Sequence, residues 1–230
     1  MEFALLTFPG LHFFLKWLHV FFGILWIGHL YYFNFTQGAF MAQADAATKS
    51  QATQKLVPIA LWWFRWGAMW TFLTGLFMLH TAGYVGFSLH GDWGVKILTG
   101  AAFGTLMWFN VWFVIWPNQK IIIKSAEQVA GGGQPLPNVA NLAARALVAS
   151  RTNTLFSIPM LFYMIGGAHL PIQMDMNNQM AYYIALAVLL VVLEGNALKG
   201  KLGPMTTVKG VISCGFALAA VVYGMMEVIL

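Results

Sequence analysis

The sequence predicts an all-α membrane protein: a polytopic bundle of about six transmembrane helices, with both termini outside. Of its 230 residues, 60% are hydrophobic and only 8% are charged, whereas soluble domains carry about 25% charged residues. The mean hydropathy of +0.71 is that of a chain whose surface faces lipid. The 10 tryptophans agree, because indole rings favour the membrane–water interface.

A helix needs about 20 apolar residues to cross about 30 Å of hydrocarbon. Six runs meet this length, over 13–36, 58–80, 95–116, 151–169, 180–198 and 208–229. We expect Pro117 to end the third helix, since proline removes a backbone donor, and Pro159 to kink the fourth. The chain is then one integral membrane domain over 1–230, with a long cytoplasmic loop over about 117–150.

That loop has two predicted parts. The Gly-Gly-Gly-Gln-Pro-Leu-Pro stretch of 131–137 is typical of a flexible break. The residues 138–150 that follow have the spacing of an amphipathic or interfacial helix that runs into the fourth span.

The positive charges predict the orientation. Most lysines and arginines fall in the loops after the first, third and fifth spans, whereas the other loops hold only Lys96. Because cytoplasmic loops are rich in lysine and arginine, both termini should lie outside a bacterial inner membrane. The net charge of +5 lies in loops and forms no basic face, so nucleic acid is not an expected partner.

Cysteine usage narrows the possible cofactors. Cys214 is the only cysteine, so the chain has no internal disulfide and no Cys-x-x-Cys-His motif for covalent haem attachment. Thiolate-bound zinc and iron–sulfur sites are excluded for the same reason. Any cofactor would depend on the six histidines.

Two of these histidines, His19 and His29, lie inside the first apolar run. An imidazole in hydrocarbon is costly unless it pairs, lines a wet cavity or binds a metal. Seven residues make nearly two turns, so His12, His19 and Trp26 share one helix face, and His29 points about 80° away in the inner half.

Two imidazoles on facing helices can hold a b-type haem without a covalent bond. We expect His19 to be one ligand and His80 or His169 the other, with His19 and His80 as the first choice for the iron. Gly23 and Gly75 could leave room for the porphyrin. The open alternative is a set of interfacial histidines bonded to water, headgroups or backbone, and we prefer it for His12 and His90.

A second polar set is predicted near the inner ends of the spans. A pocket formed by Arg65, Asn110 and Arg151 could bind a small anion, because a guanidinium group binds carboxylates and planar anions through paired hydrogen bonds. His29 could join it as an acid–base group or as a ligand of a second haem. Alternatively, Arg65 extends to the headgroups or pairs with Glu194. Asn34, Asn153 and Glu194 fall at the same depth.

Four blocks of the sequence resemble one family. They are the Trp-Leu-His-Val and Leu-Trp-Ile-Gly-His motifs of 17–29, the Trp-Trp-Phe-Arg-Trp-Gly-Ala of 62–68, and the stretches 110–120 and 150–160. In this order they resemble the membrane domain of bacterial membrane-bound urate oxidase (urate hydroxylase).

The resemblance implies an oxidoreductase that hydroxylates urate and passes electrons to a c-type cytochrome. In that family the cytochrome domain follows the last span, whereas this sequence ends at Leu230. We therefore expect a separate c-type cytochrome as partner. Two alternatives stay open: a non-catalytic haem or scaffold subunit of a respiratory or photosynthetic complex, and an anion or metal transporter.

Overall fold

The computed structural model describes residues 3–230, and all regular structure within them is helical. Six long helices follow one another: α1 Phe8–Gln43, α2 over 46–81, α3 Asp92–Ala130, α4 Val139–His169, α5 Met176–Lys199 and α6 Val208–Ile229. Within this part of the chain, α1, α3, α5 and α6 are long and apolar enough to cross a membrane. The number of spans and the side of the termini remain predictions.

Side-chain caps define where three helices begin. The hydroxyl oxygens of Thr7 and Thr207 accept backbone N–H groups at the starts of α1 and α6, and the Asp45 carboxylate accepts the Thr48 N–H at the start of α2. Such caps satisfy donors that the first helical turn leaves free. The Thr48 N–H also holds the pKa of Asp45 below its ordinary value.

The predicted stop at Pro117 is wrong. α3 continues through this proline to Ala130, and a π-helical segment, Asn110–Ile115, lies immediately before it. A π-helical turn changes the backbone hydrogen-bonding pattern, which lets a helix pass a residue that has no N–H. α4 likewise continues through Pro159 to His169.

The predicted loop over 117–150 is largely helical. α3 ends at Ala130 and α4 begins at Val139, so the predicted break and the predicted helix after it are both confirmed. Gly132 and Asn138 adopt positive φ angles of 85° and 61° in the short connection. Glycine reaches this conformation without steric cost, and asparagine tolerates it better than most residues.

The helices pack as a pair and a group. α1 lies antiparallel against α2, while α4 packs on α3, α5 and α6. Gly100 of α3 is so close to α4 that a Cβ atom there would lie 3.3 Å from the Met160 carbonyl oxygen. Small residues at such contacts allow two backbones to approach closely. At the ends of α3 and α4, the buried Lys96 donates to the Leu170 carbonyl at 2.8 Å.

Candidate functional site: histidines and buried polar groups between the helices

Two histidines of α1 bond to threonines of α2. His12 Nδ1 lies 3.0 Å from Thr81 Oγ1, and His19 Nδ1 lies 3.2 Å from Thr74 Oγ1. Each threonine hydroxyl also donates to a backbone carbonyl of its own helix. Both contacts join α1 to α2, and the donor in each depends on which ring nitrogen carries the proton.

The third histidine of α1 bonds within its own helix. His29 Nδ1 donates to the Leu25 carbonyl at 2.7 Å. This bond fixes the tautomer and leaves Nε2 with a free lone pair. Histidines that bind metals usually have their other ring N–H held in this way by a carbonyl, a carboxylate or water.

His29 lines an open surface groove of about 490 Å³ between α1 and α2, in which Ile24 and Ile59 are 68% and 62% exposed. We name this groove the α1–α2 cavity. The other lining side chains, among them Leu25, Ile59 and Trp63, are apolar or aromatic, with Tyr32 as the only further polar one. Ligand-binding pockets usually measure about 300–1,000 Å³ and combine apolar walls with a few polar groups. A cavity of about 140 Å³ shares Leu25 and Trp63 with it.

Two π-helical segments border the larger cavity. Tyr32 begins the segment Tyr32–Gln37 in α1, and Leu56 ends the segment Ala52–Leu56 in α2, and both residues line the cavity. π-helical turns are rare and occur frequently at functional sites. The cavity beside His29 is therefore the better candidate for a ligand site on α1 and α2.

The histidines predicted as haem ligands do not come together. His19 bonds at Thr74, whereas His80 lies six residues farther along α2, about 9 Å along the helix axis. His80 and His169 are both exposed, each in the last turn of its helix. Within residues 3–230, no group of three or more metal-ligating side chains forms. The role of these three as haem ligands stays a prediction that the arrangement does not favour.

The space expected at Gly75 is filled by a helix contact, because a Cβ atom there would lie 3.1 Å from the His19 ring. Gly75 therefore lets α1 and α2 approach each other and leaves no room there for a porphyrin face, which corrects the expectation for this residue. A Cβ atom at Gly23 would meet only Thr71 Cγ2, at 4.0 Å, so the expectation for Gly23 stays a prediction.

A buried polar cluster joins α3, α4 and α5. Asn110 Nδ2 donates to Asn153 Oδ1 at 3.0 Å and to Glu194 Oε2 at 3.1 Å, and Asn153 Nδ2 donates to the Met107 carbonyl at 2.9 Å. Asn110 and Asn153 are fully buried and Glu194 is 8% exposed. The common depth predicted for these three residues is realised as one hydrogen-bonded group, which we name the carboxamide cluster.

The two arginines of the predicted anion pocket lie in different surroundings. Arg65 stacks on Trp116 of α3, with its Cζ atom 3.8 Å from the ring centre. Arg151 is only 9% exposed, and its buried Nε and Nη1 atoms have no hydrogen-bond partner. Asn110 belongs to the carboxamide cluster and His29 to the α1–α2 cavity. The predicted four-residue site is therefore divided among separate places, and Glu194 bonds to Asn110 instead of Arg65.

The threonine partners on α2 were missed by sequence reasoning, although a signal was present. Thr74 and Thr81 are seven residues apart, as are His12 and His19. Because α1 and α2 are antiparallel, a further step of seven residues in each helix brings Trp26 against Gly67. A Cβ atom at Gly67 would lie 3.0 Å from the Trp26 backbone nitrogen. A matching seven-residue spacing on two helices thus indicates their contact faces.

Over residues 3–230, the fold and these buried groups define an all-helical protein with four helices long and apolar enough to cross a membrane and with polar and ionisable side chains between its helices. Such buried groups are typical of functional membrane proteins. The family model described as urate oxidase N-terminal matches residues 81–199, just over half of the chain. The chain belongs to the urate oxidase N-terminal family. Searches of curated proteins and of solved structures found no match.

The matched residues contain the carboxamide cluster but not the α1–α2 cavity. They include Arg151 and the whole carboxamide cluster, and they also contain the stretches 110–120 and 150–160 on which the resemblance was based. His19, His29 and Arg65 lie before the match. The family assignment therefore rests on α3, α4 and α5.

Proposed function

We propose that this chain is a membrane oxidoreductase related to urate oxidase, which takes electrons from a small anion such as urate and passes them to a c-type cytochrome. In a hydroxylation with water as the oxygen source, the substrate and one water molecule give the hydroxylated substrate, two electrons and two protons. The family membership supports the reaction class. The observation that carries the redox proposal is His29, an imidazole with its tautomer fixed beside a ligand-sized cavity.

The single imidazole and the apolar lining of the α1–α2 cavity support a b-type haem bound through His29. The Leu25 carbonyl holds the Nδ1 proton of His29, so Nε2 is the nitrogen available to iron. The apolar and aromatic walls suit the body of a macrocycle, and no second histidine lines the cavity. A bound b-type haem would supply a one-electron carrier between a two-electron substrate and a one-electron cytochrome.

Arg151 is the residue best prepared to bind the anion. Its guanidinium group is nearly buried and two of its nitrogens have no acceptor. A buried donor without a partner is costly, and a charged one more so. A carboxylate-like or planar anion would accept these N–H groups. Arg65 is less suited, because it is already stacked on Trp116.

Replacement of Arg151 tests this assignment. We expect Arg151→Gln to lower kcat/KM for urate-dependent cytochrome c reduction by about 30-fold or more, because losing one partner of a buried charged pair costs about 2–5 kcal/mol and about 1.4 kcal/mol is a factor of ten. The measurement is the absorbance change of a soluble c-type cytochrome added to the purified protein. Size-exclusion elution checks that the variant is folded.

Arg65→Gln is the matched control, and we expect it to change the same rate constant by less than about threefold. Equal losses in both variants would contradict the role of Arg151. A folded wild-type protein that contains haem but reduces no cytochrome with urate would contradict the enzyme and would favour the non-catalytic subunit.

A further inference from the structure

The carboxamide cluster leaves two buried oxygen atoms without a donor. They are Glu194 Oε1 and Asn110 Oδ1. The other oxygen of Glu194 accepts from the Asn110 amide nitrogen. Each unpaired buried acceptor costs free energy, so two on neighbouring side chains require an explanation.

Turning over the Asn110 amide does not satisfy these atoms. Its Nδ2 lies between two acceptor oxygens, Asn153 Oδ1 and Glu194 Oε2. Exchanging Oδ1 and Nδ2 would place an acceptor against both neighbours. The observed orientation is therefore required whenever Glu194 accepts through Oε2, whether its carboxyl group is ionised or neutral.

Within residues 3–230, no lysine or arginine hydrogen-bonds to Glu194. The Nε and Nη1 atoms of Arg151 have no partner, so they do not donate to this carboxyl group. Across the rest of the packed helices, α3 has no charged residue between Lys96 and Lys120, and Lys209 at the start of α6 is exposed. A buried carboxylate without a counter-charge costs several kcal/mol, and more in a bilayer.

We propose that Glu194 holds a proton on Oε1, which makes the Glu194–Asn110 pair a proton-binding site inside the bundle. A proton on Oε1 removes the buried charge and makes this atom a hydroxyl donor, and Asn110 Oδ1, the free oxygen on the adjoining side chain, is its candidate acceptor. The step is COO⁻ plus H⁺ giving COOH, with no redox change. The ligand of this site is a proton, and the site is independent of the haem and of the anion.

Infrared spectroscopy of the purified protein tests the proposal directly. The five other side-chain carboxyl groups in residues 3–230 are exposed: Asp45, Asp92, Glu127, Asp175 and Glu227. The spectrum is recorded at about pH 7.5, well above the ordinary carboxyl pKa of about 4. We therefore expect one carboxylic-acid C=O band, which shifts to lower frequency in D₂O. A Glu2→Gln background removes the one acidic residue that lies outside the described part.

Two variants assign the band. Glu194→Gln keeps the shape of a protonated glutamate and its donor, so the band should disappear while the melting temperature stays near that of the parent. Glu227→Gln, the exposed control on α6, should keep the band. If Glu194→Gln does not fold, the Glu2→Gln protein still decides, because Glu194 is its only buried carboxyl group among the described residues.

Three results would overturn the proton site. The first is the absence of an acid band at about pH 7.5. The second is a band that persists in folded Glu194→Gln. The third is a band that appears only when Na⁺ and K⁺ are removed, because a metal cation and not a proton would then occupy the two oxygens.

Discussion

His29→Ala is expected to abolish the b-type haem spectrum of the purified protein. The imidazole is the only one that lines the 490 Å³ cavity, and its Nδ1 bond to Leu25 leaves Nε2 free. That bond lies within α1, so its removal leaves the contacts between α1 and α2 in place. The reduced-minus-oxidised absorbance spectrum in detergent measures the effect, with the melting temperature showing that the variant is folded.

His19→Ala is the matched control with the opposite expectation. His19 bonds to Thr74 of α2 and packs on Gly75, so this variant should lose stability but keep the haem spectrum. Loss of the haem spectrum in folded His19→Ala, with the spectrum of His29→Ala unchanged, would show that His19 binds the haem and would contradict a haem site at the cavity.

Gly67→Leu is expected to separate α1 from α2 and to have the largest effect on stability. Even a Cβ atom at this position would lie 3.0 Å from the backbone nitrogen and 3.3 Å from the Cα atom of Trp26. A helix backbone cannot yield as a flexible side chain can. Overpacking of this kind costs about 1–3 kcal/mol, and occasionally more. Thermal unfolding in detergent measures the loss.

Gly195→Leu on α5 serves as the control for Gly67→Leu. A Cβ atom at Gly195 meets nothing within 4 Å, and the position is exposed. The same substitution there should leave the melting temperature nearly unchanged. If both variants had the melting temperature of the wild type, the close approach of α1 to α2 at Trp26 would be wrong.

Helix faces and several helix ends were predictable from the sequence, whereas the end of α3 was not. The predicted span 208–229 coincides with α6, and α4 ends at His169 as predicted. The shared face of His12, His19 and Trp26 follows from helical geometry alone, and all three residues contact α2. The continuation of α3 past Pro117 depends on the π-helical segment before it. Neither helix propensity nor hydropathy predicts a π-helical segment, because the segment is a local change of hydrogen-bonding pattern inside an otherwise regular helix.

The candidate sites could likewise be predicted only in part. Position along a helix gives depth in the membrane, which correctly grouped Asn110, Asn153 and Glu194. Depth says nothing of the direction in which a side chain points. Arg65 therefore seemed to belong to the same pocket, although it faces Trp116. The same limit applies to His80, which is exposed on α2 while His19 meets Thr74.

Haem content of the wild-type protein tests the redox account most directly. The protein would be purified from haem-replete cells, and its haem b would be quantified by the pyridine haemochrome spectrum against protein concentration. We predict about one haem b per chain, because one imidazole lines the cavity in which we place the haem. A colourless, folded preparation would contradict the account.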